Sequence, residues 1–111
     1  MTRHKAPDRG DIVWLEFSPQ AGHEHAGRRP ALVLSPITYN AASGLALVCP
    51  ITSRVKGYPF EVPLGSGLGV SGVVLADAVR SVDWQERKAK LAGRASAQVI
   101  ETVRAKLQAL I

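Results

Sequence analysis

Asp11 to Phe17 reads DIVWLEF, and it alternates: Ile12, Trp14 and Glu16 fall on one side, Val13, Leu15 and Phe17 on the other. That period of two, with Gly10 before it and Pro19 after it, predicts a β-strand rather than a helix. The apolar run PALVLS (Pro30–Ser35) predicts a second strand and LALVCPIT (Leu45–Thr52) a third. Pro50 lies near the end of the third, where a missing N–H suits an edge or a bulge. Between these two runs, PITYNAAS predicts a short helical turn that starts at Pro36 and stops at Asn40.

Further on, GYPFEVPL (Gly57–Leu64) predicts a short fourth strand held between prolines. GSGLGVSG (Gly65–Gly72) reads as a flexible turn; its spacing is wrong for a dinucleotide fingerprint and no helix follows it. VVLADAV and RKAKLAGRAS predict two more strands around a loop carrying Asp83 and Trp84. Only the end changes period. In SAQVIETVRAKLQALI, Val99, Ile100, Val103, Leu107, Leu110 and Ile111 recur at helical spacing behind Ser96, a natural N-cap. Several short strands and one closing helix describe a mainly β fold with a C-terminal α-helix, a small, strongly bent barrel in a single domain spanning 1–111.

The chain carries a net charge of +5, and from Arg80 onward seven basic side chains face three acidic ones, so most of the excess sits in the last third. A basic surface makes polyanions plausible partners. A solvated face without a partner accounts for the same charge. The single cysteine, Cys49, lies inside an apolar run and is expected to be buried and inert. No apolar run is long enough to span a bilayer, and MTRHKAPDRG lacks the apolar core of a signal peptide, so no membrane role and a cytoplasmic location are expected.

The loop between the first two strands, QAGHEHAGRRP (Gln20–Pro30), concentrates His23, Glu24, His25, Arg28 and Arg29, with Gly22 and Gly27 as hinges. A metal site needs three or four converging ligands, and the only other histidine is His4, so no metal and no cofactor are expected. No serine sits in a nucleophile elbow. RNA cleavage through the substrate's own 2′-hydroxyl fits better. It needs an acceptor for the 2′ proton, a cation for the charge growing on phosphorus-bound oxygens, and a donor for the departing oxygen. Glu24 or a neutral histidine could be the base, and Arg29 or Arg28 offers the fork that matches two phosphate oxygens. Thr52 could add a hydroxyl or backbone donor. The same residues could also be a surface ion pair beside a strand-ending threonine. Trp14, Phe17 and Trp84 could stack on bases, though core packing is the expected role of Trp14. Tyr58 and Phe60 are expected to line a groove edge or pack beneath it.

PDRGDIVWLEFSP (Pro7–Pro19), GHEHAGRRPALVLSP (Gly22–Pro36), VCPITS (Val48–Ser53), KGYPFEV (Lys56–Val62) and GVVLADAVRSVDW (Gly72–Trp84) occur in that order. Together they resemble the MazF family of toxin endoribonucleases over nearly the whole chain. The resemblance implies a CcdB/MazF-type, SH3-like barrel that forms a homodimer. It also implies metal-independent, sequence-selective cleavage of single-stranded mRNA to a 2′,3′-cyclic phosphate and a 5′-hydroxyl, inhibiting translation and growth. A MazE-like antitoxin is the implied partner. By the same carry-over Arg29 and Thr52 match catalytic positions, with Glu24 implicated beside them. Arg28, Lys56, Ser53, Phe17 and Gln20 match RNA-binding positions. Arg28 stands where a histidine can occur in relatives, and Ser53 where many carry a second threonine. His23 and His25 fall outside the motif.

Two competing functions are a non-enzymatic CcdB-like toxin that poisons a topoisomerase, and a basic nucleic-acid-binding module without turnover. The Glu24, Arg29 and Thr52 set separates them from the enzyme, because a pure binder has no need of it.

Overall fold

The computed structural model describes residues 5–17, 27–65 and 69–111. Seven strands and two helices follow one another as β1 (Asp11–Phe17), β2 (Gly27–Val33), α1 (Ile37–Ser43), β3 (Leu45–Thr52), β4 (Glu61–Pro63), β5 (Val73–Leu75), β6 (Arg80–Asp83), β7 (Lys90–Arg94) and α2 (Ala97–Gln108). The strands form one antiparallel sheet in the order β4-β5-β3-β2-β1-β7, with β6 also on β3. The barrel expected from the sequence is not closed: among the described residues β7 and β4 remain the two ends of the path.

Alternation in β1 buries both faces of the sheet. Ile12 joins a core with Leu32, Cys49, Ile51, Val62 and Val74, onto which α2 lays Val99, Ile100, Val103 and Leu107. Val13 and Leu15 join a second core on the opposite face with Ala31, Val33, Ala46, Val48, Val82 and Trp84. The Ser96 hydroxyl accepts the Val99 N–H and caps α2 as its sequence predicts. Gly10 lets α2 come close, since a Cβ there would sit 2.7 Å from Ile100 Cδ1 and the backbone already has φ +93°.

Four expectations need correction. Asn40 does not stop α1 but lies inside it, fully buried, and Gly44 in the left-handed region ends the helix. Its side chain accepts the Ser35 hydroxyl at 2.6 Å and donates to the carbonyls of Pro7 and Ser35, while its own carbonyl accepts the Trp84 indole N–H at 2.8 Å. A buried amide with its groups satisfied costs little and fixes one arrangement. Trp84 is thus core and cannot stack on a base. Pro50 lies on no edge strand either: β3 has β2 on one side and, on the other, β6 along Leu45–Val48 and β5 along Ile51–Thr52. Finally, Asp83, read from the sequence as part of a loop, ends a strand of its own, β6 (Arg80–Asp83).

Candidate active site

The β2–β3 ladder pairs Val33 with Val48, Leu32 with Cys49 and Ala31 with Pro50. Arg29 and Thr52 each lie two residues beyond the last pair of that ladder. Both side chains line one cleft of about 400 Å³, with Trp14 and Pro30 from β1 and β2, Ile51 and Ser53 from β3 and its end, and Gly69–Ser71 from the β4–β5 connection. The volume falls in the range of small-ligand clefts. Trp14, Pro30, Ile51 and Val70 are its apolar lining, and Arg29, Thr52, Ser53 and Ser71 its polar lining. Arg29 is the only charged residue among the described lining residues, so the cleft favours an anion.

Thr52 is oriented for donation. Its hydroxyl oxygen accepts the Arg54 backbone N–H at 3.1 Å, a local turn bond that leaves the hydroxyl hydrogen to point elsewhere. The backbone behind it is held by the Thr52–Val73 pair. Gly72 is required there, because a Cβ would overlap the Thr52 carbonyl oxygen in a backbone already at φ +118°.

The other described sequence-predicted residues lie outside the cleft lining. Arg28 holds its guanidinium 5.3 Å from the Trp14 ring centroid, a cation–π contact. Phe17, at the end of β1, is packed against the second core and flanked by two guanidinium groups, Arg80 at 5.6 Å and Arg87 at 4.5 Å. Arg87 is tied to β1, donating from Nη1 to the Glu16 carbonyl while its own carbonyl accepts the Glu16 N–H at 2.8 Å. Lys56 stands apart from the cleft lining, 5.9 Å over the exposed Tyr58 ring, with its backbone N–H held by Glu61. Phe60 packs against the helix-covered core. Glu24, Gln20, His23 and His25 lie outside the described residues.

Sequence reasoning missed the part that Trp14 takes in the cleft, the Gly69–Ser71 wall, and Arg80 with Arg87. The signal for the arginines was the excess of positive charge after residue 80; for Gly69–Ser71 there was none beyond the glycines. Cys49 behaves as read: it is fully buried, and burial, with Asp77 nearby, pushes its thiol up to about 12. Among the described residues no three His, Cys, Asp or Glu side chains cluster as metal ligands.

The family model for PemK-like, MazF-like toxins of type II toxin–antitoxin systems matches residues 8–111. The chain belongs to the PemK/MazF toxin family. It is 45% identical to the endoribonuclease toxin MazF of Escherichia coli K12, covering 100% of this chain and 99% of that one. It is 31% identical to the endoribonuclease PemK of Escherichia coli over 94% of this chain and 81% of that one. A MazE–MazF crystal structure from Deinococcus radiodurans superimposes with a TM-score of 0.90 at 61% identity, covering 95% of each chain. Membership makes this chain a MazF-type endoribonuclease toxin of a toxin–antitoxin system, and the open sheet with its terminal helix is the MazF-like fold.

Proposed function

We propose that the chain cuts single-stranded mRNA at selected sequences without a metal, leaving a 2′,3′-cyclic phosphate and a 5′-hydroxyl, and so blocks translation. The observation that carries this reading is the meeting of Arg29, Thr52 and Ser53 in one cleft. The substrate's 2′-oxygen attacks the adjacent phosphorus, the bond to the 5′ oxygen breaks, and the 2′ proton leaves to a base. Glu24 is the carboxylate assigned to that base. The Arg29 fork binds the phosphorane oxygens as their charge grows, which is where a preorganised cation contributes most. An arginine stays protonated in ordinary surroundings, so electrostatic stabilisation is its main part. The Thr52 hydroxyl donates to the same group, and a proton returns to the departing 5′ oxygen from the guanidinium or from water.

Arg28, Phe17, Ser53, Lys56 and Gln20 hold the strand on either side of the cut. Two copies of the chain form the working homodimer in the cytoplasm. The Deinococcus match is a complex with MazE; a MazE-like antitoxin segment, acidic and ordered on binding, is the matching regulator here, since it complements a basic groove. Incubating the purified protein with a long single-stranded RNA in EDTA tests the reading. Discrete cuts with 5′-hydroxyl ends are expected. Uncut RNA with a mobility shift would instead identify a binding module, and neither cutting nor binding would favour a CcdB-like toxin.

A further inference from the structure

Arg29 and Thr52 take the phosphate, and phosphate contacts carry no sequence information of their own. Selectivity needs hydrogen-bonding groups at base edges. Among the described lining residues, apart from the Trp14 indole, the side chains that can supply them and are not committed to the phosphate are the hydroxyls of Ser53 and Ser71. Ser53 follows the catalytic threonine in sequence. Ser71 comes from the glycine-rich connection between β4 and β5, on the other wall.

We propose that Ser71 is a specificity-determining residue, reading the base beside the scissile phosphate; this rests on the endoribonuclease reading above. Its distance from the chemistry is fixed. The next residue, Gly72, packs on the backbone of Thr52 and Ser53, so closely that an added Cβ would lie 3.0 Å from Ser53 Cα and overlap the Thr52 carbonyl. The Gly72 carbonyl also accepts the Leu64 N–H at 3.1 Å, and Val73 pairs with both Thr52 and Pro63. The wall is therefore welded to the strand that carries Thr52. Val70 turns inward onto the helix-covered core, while Gly69 and Ser71 stay exposed at the cleft. A base entering the cleft passes the exposed Gly69–Ser71 wall, on which Ser71 carries the one hydroxyl.

The test compares Ser71→Ala with the wild type on RNA oligonucleotides built around one mapped cut site, each with a different base next to the scissile bond. Losing one hydrogen bond to a base edge changes the ratio of kcat/KM between preferred and disfavoured bases by about threefold to tenfold. A shifted ratio, with the salt dependence of KM unchanged, supports the assignment. A uniform drop across all bases, or no change, overturns it and leaves the endoribonuclease reading standing. Failure of the wild-type protein to cut any RNA overturns both.

Discussion

Arg29 and Thr52 line one cleft from neighbouring strands, each two residues beyond the last pair of the β2–β3 ladder. Neither residue needs a long or adaptable loop to reach the other. Arg29→Ala is expected to lower kcat on single-stranded RNA by about a hundredfold or more, the scale of losing a preorganised transition-state contact. Arg29→Lys keeps the charge but loses the fork, so it should recover only part of the rate. Arg29 is solvent-exposed, so thermal melts of both variants should stay near wild type. Wild-type cutting by Arg29→Ala would remove the guanidinium from the mechanism.

Gly72 and Gly57 both have positive φ, yet only Gly72 has a neighbour in the way. A side chain in such a backbone costs about 1–2 kcal/mol at either position. Gly57→Ala should cost no more than that in urea denaturation. Gly72→Ala should cost more and also depress cutting, because the displaced atoms belong to Thr52 and Ser53. Equal losses for the two would mean that the close approach is relieved without moving the site.

Arg80 and Arg87 flank Phe17, and among the described residues neither makes an ion pair with a carboxylate. If each contacts one phosphate, Arg80→Gln and Arg87→Gln should each flatten the slope of log affinity against log salt by about 0.7. Phe17→Ala should weaken binding with the slope unchanged, since stacking releases no counterions. Fluorescence anisotropy with a labelled RNA over a salt series measures both.

Asp8 accepts the Ile37 and Arg9 backbone N–H groups at 2.9 and 2.8 Å, and these bonds hold its pKa below that of an ordinary aspartate. A lowered carboxylate stabilises the fold above its unfolded value, and that contribution is lost as pH falls through the folded value. The urea midpoint should therefore drop as the solution is acidified from about pH 4 downward. Asp8→Asn should show less of that drop, though it is less stable near neutrality.

Cys49, fully buried with its thiol pushed up to about 12, should resist an aromatic disulfide reagent at pH 8 in the native state. It should react at once in denaturant. Rapid native labelling would mean that the helix-covered core opens readily.

β1 and β3 match their sequence-predicted bounds because alternation or a continuous apolar run is bracketed by glycine or proline. β6 was illegible for the opposite reason: RSVD buries only Val82, and its strand conformation comes from pairing with β3. Asn40 reads as a helix stop by residue type, and only its four-way hydrogen bonding overrides that. Whether the sheet closes depends on how its outermost strands meet, which no local period encodes. At the site, Arg29 and Thr52 were legible from residue chemistry and from the family pattern. The wall carrying Ser71 was not, because glycines that permit a tight approach look the same as glycines that permit a turn.

Pro50 occupies the point where β3 passes from β6 to β5 and where its pairing with β2 ends. Whichever neighbour its nitrogen faces, it has no hydrogen to give. The ladder thus stops two residues short of Arg29 and Thr52 at a position whose missing hydrogen is covalent, so no binding partner has to impose that ending.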